Sequence, residues 1–291
     1  MATAISSKPS LRAIDRYKDP LALWHLLSLD APTIAALWTW FIASANHVHL
    51  PPVASLAMAI TVWMLYAADR LMDVRLLNVD PCRQQDLEAR HYFHLRHRAW
   101  FLTGIFLASI ALAALLPHFD ANAIHLYLLL GGLVVGYFLL IHATRSAHRL
   151  PKEIAVGLFF AAAIFIPTVA RRPELRLSLL PFALLFAALC SLNCLFIYAW
   201  EHDNSPGDPP HAITSFALRN LPSLTVLLTL FSACITLFDH HAPWPVPYAI
   251  ALSAALLLLL HNHRLAIAPV TLRAAADLAL TTPLLLFLFL Q

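Results

Sequence analysis

Nine stretches of about 20 mainly apolar residues run through this chain, and that repetition limits what it can fold into. They cover 31–49, 53–73, 99–117, 122–141, 153–170, 177–199, 221–238, 244–262 and 272–290. A helix of this length crosses the hydrocarbon layer with its backbone groups bonded inside the segment, whereas an open sheet cannot. The expected fold class is therefore all-α, a multi-pass transmembrane helical bundle of about nine helices. Composition agrees: of 291 residues, 60% are hydrophobic and 12% charged, about half the charged share of a soluble domain. The length suits one bundle and leaves no room for a large soluble domain. Residues 1–30 read as an N-terminal cytoplasmic or interfacial segment, and 31–291 as the transmembrane domain. Within the first part, "SLRAIDRYKDPLALWHLL" mixes basic and apolar residues in the manner of a helix lying along the membrane surface. No secretory leader and no nucleic-acid partner are expected.

The basic residues are distributed unevenly. Sixteen of the 19 Lys and Arg fall in the N-terminal segment and in alternate connections, including 70–98, 145–152 and 264–273. Only Arg171, Arg172 and Arg176 fall on the other side. By the positive-inside rule the N-terminus and the long loops are cytoplasmic, and nine spans put the C-terminus outside. The opposite loops, "NHVHLPP", "PHFDANAIH" and "DHHAPWP", are rich in histidine and read as interface residues rather than metal ligands. Cys82, Cys190, Cys194 and Cys234 form no metal or disulfide pattern, and the 190/194 pair reads as helix packing. No internal repeat of the kind many transporters carry is evident.

Polar residues concentrate where three runs meet the cytoplasmic side. "YAADRLMD" ends the second run with Asp69, Arg70 and Asp73; the four-residue spacing stacks the two aspartates on one helical face. "YAWEHD" ends the sixth run with Glu201 and Asp203, and Asp208 follows. "HRLPKEIAVG" enters the fifth run with Lys152 and Glu153. Carboxylates at span ends are costly enough to suggest function by default. Two acidic clusters facing each other would hold magnesium, which favours oxygen ligands shared with phosphate, and Lys152 would supply a point charge to that phosphate. The chemistry implied is release of a diphosphate leaving group and capture of the resulting carbocation. Interface marking alone would explain each piece separately. Asn193, inside the sixth run, reads as an interhelical hydrogen-bond partner; the basic "ARHYFHLRHR" stretch reads either as an interfacial helix facing lipid headgroups, the preferred reading, or as a cytoplasmic cap that contacts diphosphate or an anionic acceptor through His91, His94, Arg96, His97 and Arg98.

With these motifs the chain resembles the UbiA superfamily of intramembrane prenyltransferases, in topology over nearly its whole length and sharply only at the motifs. "DRLMD" matches the later part of the family's first aspartate-rich motif, and Glu201 and Asp203 match the end of the second. Leu65 and Tyr66 stand where the first motif has Asn-Asp, Tyr198 and Ala199 near the missing aspartates of the second, and His148 where a tyrosine is common. The resemblance implies Mg2+ held by Asp69, Asp73, Glu201 and Asp203, with Arg70 and Lys152 on the diphosphate. Asp69, Asp73 and Lys152 would then be catalytic. It further implies a polyprenyl diphosphate donor, an unidentified acceptor and contact with membrane lipid. Two other functions fit the charges: a non-catalytic lipid binder, and a cation-coupled transporter whose ionisable groups would lie nearer the bilayer midplane. A CDP-alcohol phosphotransferase would need a longer Asp-Gly…Asp pattern that the chain lacks.

Overall fold

The computed structural model describes residues 20–77, 93–94, 96–143, 151–202, 210–238 and 243–289. Among these the chain is helical, with no strand. In chain order the α-helices are α1 (Pro20–Leu26), α2 (Asp30–Ala45), α3 (Pro52–Leu77), α4 (Arg98–Leu115) and α5 (Ala121–Ala143). They continue with α6 (Lys152–Arg171), α7 (Arg176–His202), α8 (Ala212–Arg219), α9 (Leu221–Phe238), α10 (Pro245–Asn262) and α11 (Pro269–Leu278). A 3-10 run, Ala279–Phe289, extends α11. Among the described residues, six helical segments are long and apolar enough to cross a membrane: Pro52–Met72, Arg98–His118, Lys152–Arg171, Pro173–Glu201, Leu221–Phe238 and Pro245–Asn262. The shape suits an integral membrane protein. Large apolar side chains such as Leu107, Leu128, Leu133 and Phe231 face outward, where lipid rather than water satisfies them.

Helix borders follow local chemistry. Proline opens α3, α10 and α11, where its missing N–H costs nothing, and Pro151 precedes α6. After α2, Asn46 donates a side-chain hydrogen bond to the Ile42 carbonyl at 2.8 Å. His47 then takes the left-handed conformation (φ 53°) that commonly stops a helix.

Helix α7 is the centre of the bundle. It packs against α6, α9, α10 and α11, and the span around it is the most buried of the six. Trp38, Phe41, Phe186, Phe196, Ile250 and Leu257 form the core around it. The Trp38 ring lies 4.3 Å from that of Phe186, and its indole N–H donates to the Leu280 carbonyl at 2.7 Å. That bond ties α2 to the C-terminal 3-10 run and satisfies a polar atom buried in the core.

The most extensive helix pair is α6 with α7. It depends on Gly157, where an added Cβ would lie 2.7 Å from the Ala187 backbone carbonyl of α7. Small residues let membrane helices approach closely, and contact then comes from backbone packing. Gly132 on α5 is the converse, with nothing within 4 Å of an added Cβ. Replacing Gly157 by Leu should lower the unfolding temperature of the detergent-solubilised protein, consistent with an overpacking cost of about 1–3 kcal/mol. Gly132→Leu should leave it unchanged. Equal unfolding temperatures would show that the α6–α7 contact does not need the glycine.

A candidate charged cavity at one end of the bundle

Five helices deliver charged residues to the same end of the bundle. There α2 and α6 begin, α3 and α7 end, and α11 begins. The geometry starts at the turn between α1 and α2. Ser28 is fully buried and held in the left-handed region (φ 58°), which is strained for a residue with a side chain. The strain is offset by what the turn binds. Arg70, on the last turns of α3, donates to the Ser28 hydroxyl and, at 3.1 Å, to the His25 carbonyl. A ring nitrogen of His94 sits 3.2 Å from the same hydroxyl.

Asp30 begins α2 just beyond this turn and is buried. One carboxylate oxygen accepts from the Ala31 backbone N–H at 2.9 Å. The other lies 2.6 Å from His25 Nδ1 and 4.0 Å from the Arg70 guanidinium. A carboxylate at a helix N-terminus is also favoured by the helix dipole.

A cavity of about 260 Å³ opens beside Asp30. From α3 it is lined by Tyr66 and Arg70, one helical turn apart, and from the start of α6 by Lys152, Glu153 and Val156. The last turns of α7 contribute Asn193, Cys194, Ile197, Tyr198 and Glu201. Arg273 and Asp277 come from α11, again one turn apart. Glu201 pairs with Arg273, and the Asn193 amide N–H donates to the Asp277 carboxylate at 2.9 Å. The Thr214 hydroxyl of α8 donates to Glu153 at 3.3 Å, which ties α8 to the start of α6. At the opposite end of the bundle the charges meet differently: Arg171 pairs with Asp120 at 3.1 Å and Arg172 with Glu174 at 2.6 Å, both pairs exposed.

Of the residues singled out from sequence, Arg70, Lys152 and Glu201 line this one cavity. Lys152 is exposed at its mouth; Arg70 is buried. Asp69 is half-buried on α3 and is not among the lining residues. Asp73 belongs to the same helix, but its side chain lies outside the described residues, as do Asp203, Asp208 and His148. Asn193 bridges α7 and α11, the interhelical role expected of it. Cys190 is buried in the core, in keeping with its packing role.

The sequence motifs do not point to Asp30 or Asp277. Yet these two carboxylates and His25 bring ligand atoms to within 4.8 Å of one another. The available signal was an acid at the border of an apolar run (Asp30) and one inside another (Asp277), and such placements are uncommon without a purpose.

Fold and cavity together define a helical membrane-type protein with a charged chamber at one end. Comparison with family models, curated proteins and solved structures finds no match for the chain.

Arg70 has a structural duty that can be measured. Arg70→Met removes the donors to Ser28 and to the His25 carbonyl. Hydrogen bonds to charged groups contribute about 1.5–3 kcal/mol each, so a clear loss of thermal stability is expected. A cysteine placed at Leu29 should also become more reactive to a water-soluble maleimide, because the strained turn loses its clamp. Unchanged stability and labelling would refute the clamp.

Proposed function

We propose that the chain is a UbiA-type membrane enzyme that transfers a polyprenyl group from its diphosphate to a lipophilic or aromatic acceptor. One observation carries this reading: Arg70, Lys152 and Glu201, chosen from sequence on separate helices, line a single cavity. The finer topology belongs to the same proposal. Nine spans are formed by α2 to α7, α9, α10, and α11 with its 3-10 extension. The N-terminus and the cavity face the cytoplasm, and the C-terminus lies outside.

The lining residues suit the parts of such a substrate. Lys152 stands at the first turn of α6, whose leading backbone N–H groups and dipole favour an anion. A mobile lysine there follows a diphosphate as it separates. Ala31, Val156 and Ile197 give the wall an apolar portion for the reacting end of the prenyl chain. About 260 Å³ is slightly below the roughly 300–1,000 Å³ of pockets that enclose a drug-sized ligand. The cavity therefore takes the diphosphate and the first prenyl carbons, and the remaining tail runs along the apolar bundle surface.

The donor set also fits magnesium, because four carboxylates (Asp30, Glu153, Glu201 and Asp277) and the Asn193 amide line the cavity. Among the carboxylates expected from sequence to hold it, Glu201 is the one described at the cavity wall. Bound there, the metal would supply positive charge to the leaving diphosphate. Breaking the allylic C–O bond leaves a carbocation; the acceptor forms the new bond and gives up a proton, and the walls keep water from competing. Asp30, Lys152, Glu153 and Glu201 lie at helix ends, which disfavours a transporter with a midplane ion site.

Purified protein incubated with magnesium, a labelled prenyl diphosphate series and membrane extract should release pyrophosphate and form a labelled lipid. Lys152→Met should lower that turnover on the order of 10²-fold, by analogy with loss of other leaving-group stabilisers. Diphosphate binding without pyrophosphate release would point instead to a non-catalytic lipid binder. Orientation has its own test: accessibility labelling in intact cells should leave a cysteine placed at Gln85 protected and tag one added after Gln291. The reverse pattern would overturn the assigned sidedness.

A further inference from the structure

We propose that Asp30, Asp277 and Asn193, which share the wall of the cavity, form a binding site for one hard divalent cation. Asp30 and Asp277 come from α2 and α11, near the two ends of the sequence, yet one carboxylate oxygen of each and a ring nitrogen of His25 lie within 4.8 Å of one another. Two acids held this close repel each other unless a cation or a proton lies between them. A second, independent feature favours the cation. Asn193 is 6% exposed; its amide nitrogen is used on Asp277, while its carbonyl oxygen is buried with no hydrogen-bond partner. A buried carbonyl oxygen without a donor is rare in folded proteins and marks a place for a water or an ion. A shared proton would answer the two acids, and this oxygen would then need a water besides; one cation answers all three.

The ligand chemistry selects the ion. Carboxylate and amide oxygens suit magnesium, manganese or calcium, and the one nitrogen of the group is engaged with Asp30. Magnesium keeps several coordination positions for water or phosphate oxygen, and the cavity lies on that open side. Charge points the same way. Four acids and three bases line the cavity (Arg70, Lys152 and Arg273 being the bases), so the wall is net negative by one. Adding a divalent cation makes it net positive by one. An anion should then bind after the cation and because of it. That role rests on the diphosphate reading above; the site itself is tested by metal binding alone.

The full chain in detergent should be titrated with Mn2+, following the loss of the free-ion electron paramagnetic resonance signal, with Mg2+ as competitor. Wild type should bind Mn2+ at one site that Mg2+ displaces. Asp277→Asn keeps the shape and removes a charge, and should raise the dissociation constant at least tenfold. Asn193→Leu removes only the amide and should raise it several-fold, without adding charge to the bundle. Glu174→Gln, at the opposite end of the bundle, should bind as wild type does. All variants are compared at equal amounts of monodisperse protein. No Mn2+ binding by wild type, or wild-type binding by both Asp277→Asn and Asn193→Leu, overturns the site. Pyrophosphate binding separates the two ideas. Metal binding that depends on Asp277, without pyrophosphate binding, supports the site and removes the diphosphate reading. Pyrophosphate binding that is the same without added metal and in Asp277→Asn overturns the site and leaves that reading standing.

Discussion

The close approach of α6 to α7 at Gly157 is the contact on which the rest of the arrangement depends. It lies little more than one turn from Lys152 and Glu153, and Ser191 opposite it is two residues from Asn193. Where these helices touch backbone to backbone, the start of one is held against the end of the other. No flexible side chain intervenes to absorb an error. Helix α7 then serves as a fixed rail: Asn193, Ile197 and Glu201 recur every four residues along the side facing α11 and the cavity. A wider α6–α7 spacing would separate the lysine from the acids without changing either helix.

Charge is tolerated at this end because it is shared out. Asp30 has a backbone N–H, a histidine and an arginine; Glu201 has Arg273; Glu153 has Thr214; Asp277 has Asn193. None of these contacts implies large net stability, since removing two charges from water costs about as much as pairing them returns. Their effect is on specificity. A wrong helix register would leave a charge buried without a counterpart, a cost of several kcal/mol. The same reasoning accounts for Ser28. A strained turn persists because Arg70 fills it on one side and His94 on the other.

What was legible in the sequence divides along a physical line. Helical class followed from apolar length, since lipid leaves few alternatives to a helix. Arg70, Lys152 and Glu201 were legible because charges at the ends of apolar runs are conspicuous within one segment. Pairings between segments were not. Asn193 and Asp277 are far apart in the chain and meet only because α7 packs on α11. Spacing along α3 groups Asp69 with Asp73, but Tyr66 and Arg70 supply its wall of the cavity. Periodicity identifies a face; it does not say which neighbour that face meets. Asp30 was hidden for a related reason, because an aspartate opening a helix looks like an ordinary cap until the tertiary fold buries it.

The joining of α2 to α11 has a consequence for how the protein is made. Asp30 emerges early from the ribosome, and Asp277 and Arg273 emerge almost last. At roughly 5–20 residues per second, the intervening stretch of about 250 residues takes on the order of 12–50 s to synthesise. Over roughly the last third of that interval Glu201 waits without Arg273, and Asn193 without Asp277. The nascent bundle must hold its half-built chamber open to water or to a chaperone until the final helix arrives. Translation rate and insertion of the last segment thus become part of the folding problem, and a stalled chain would carry its uncompensated acids into the membrane.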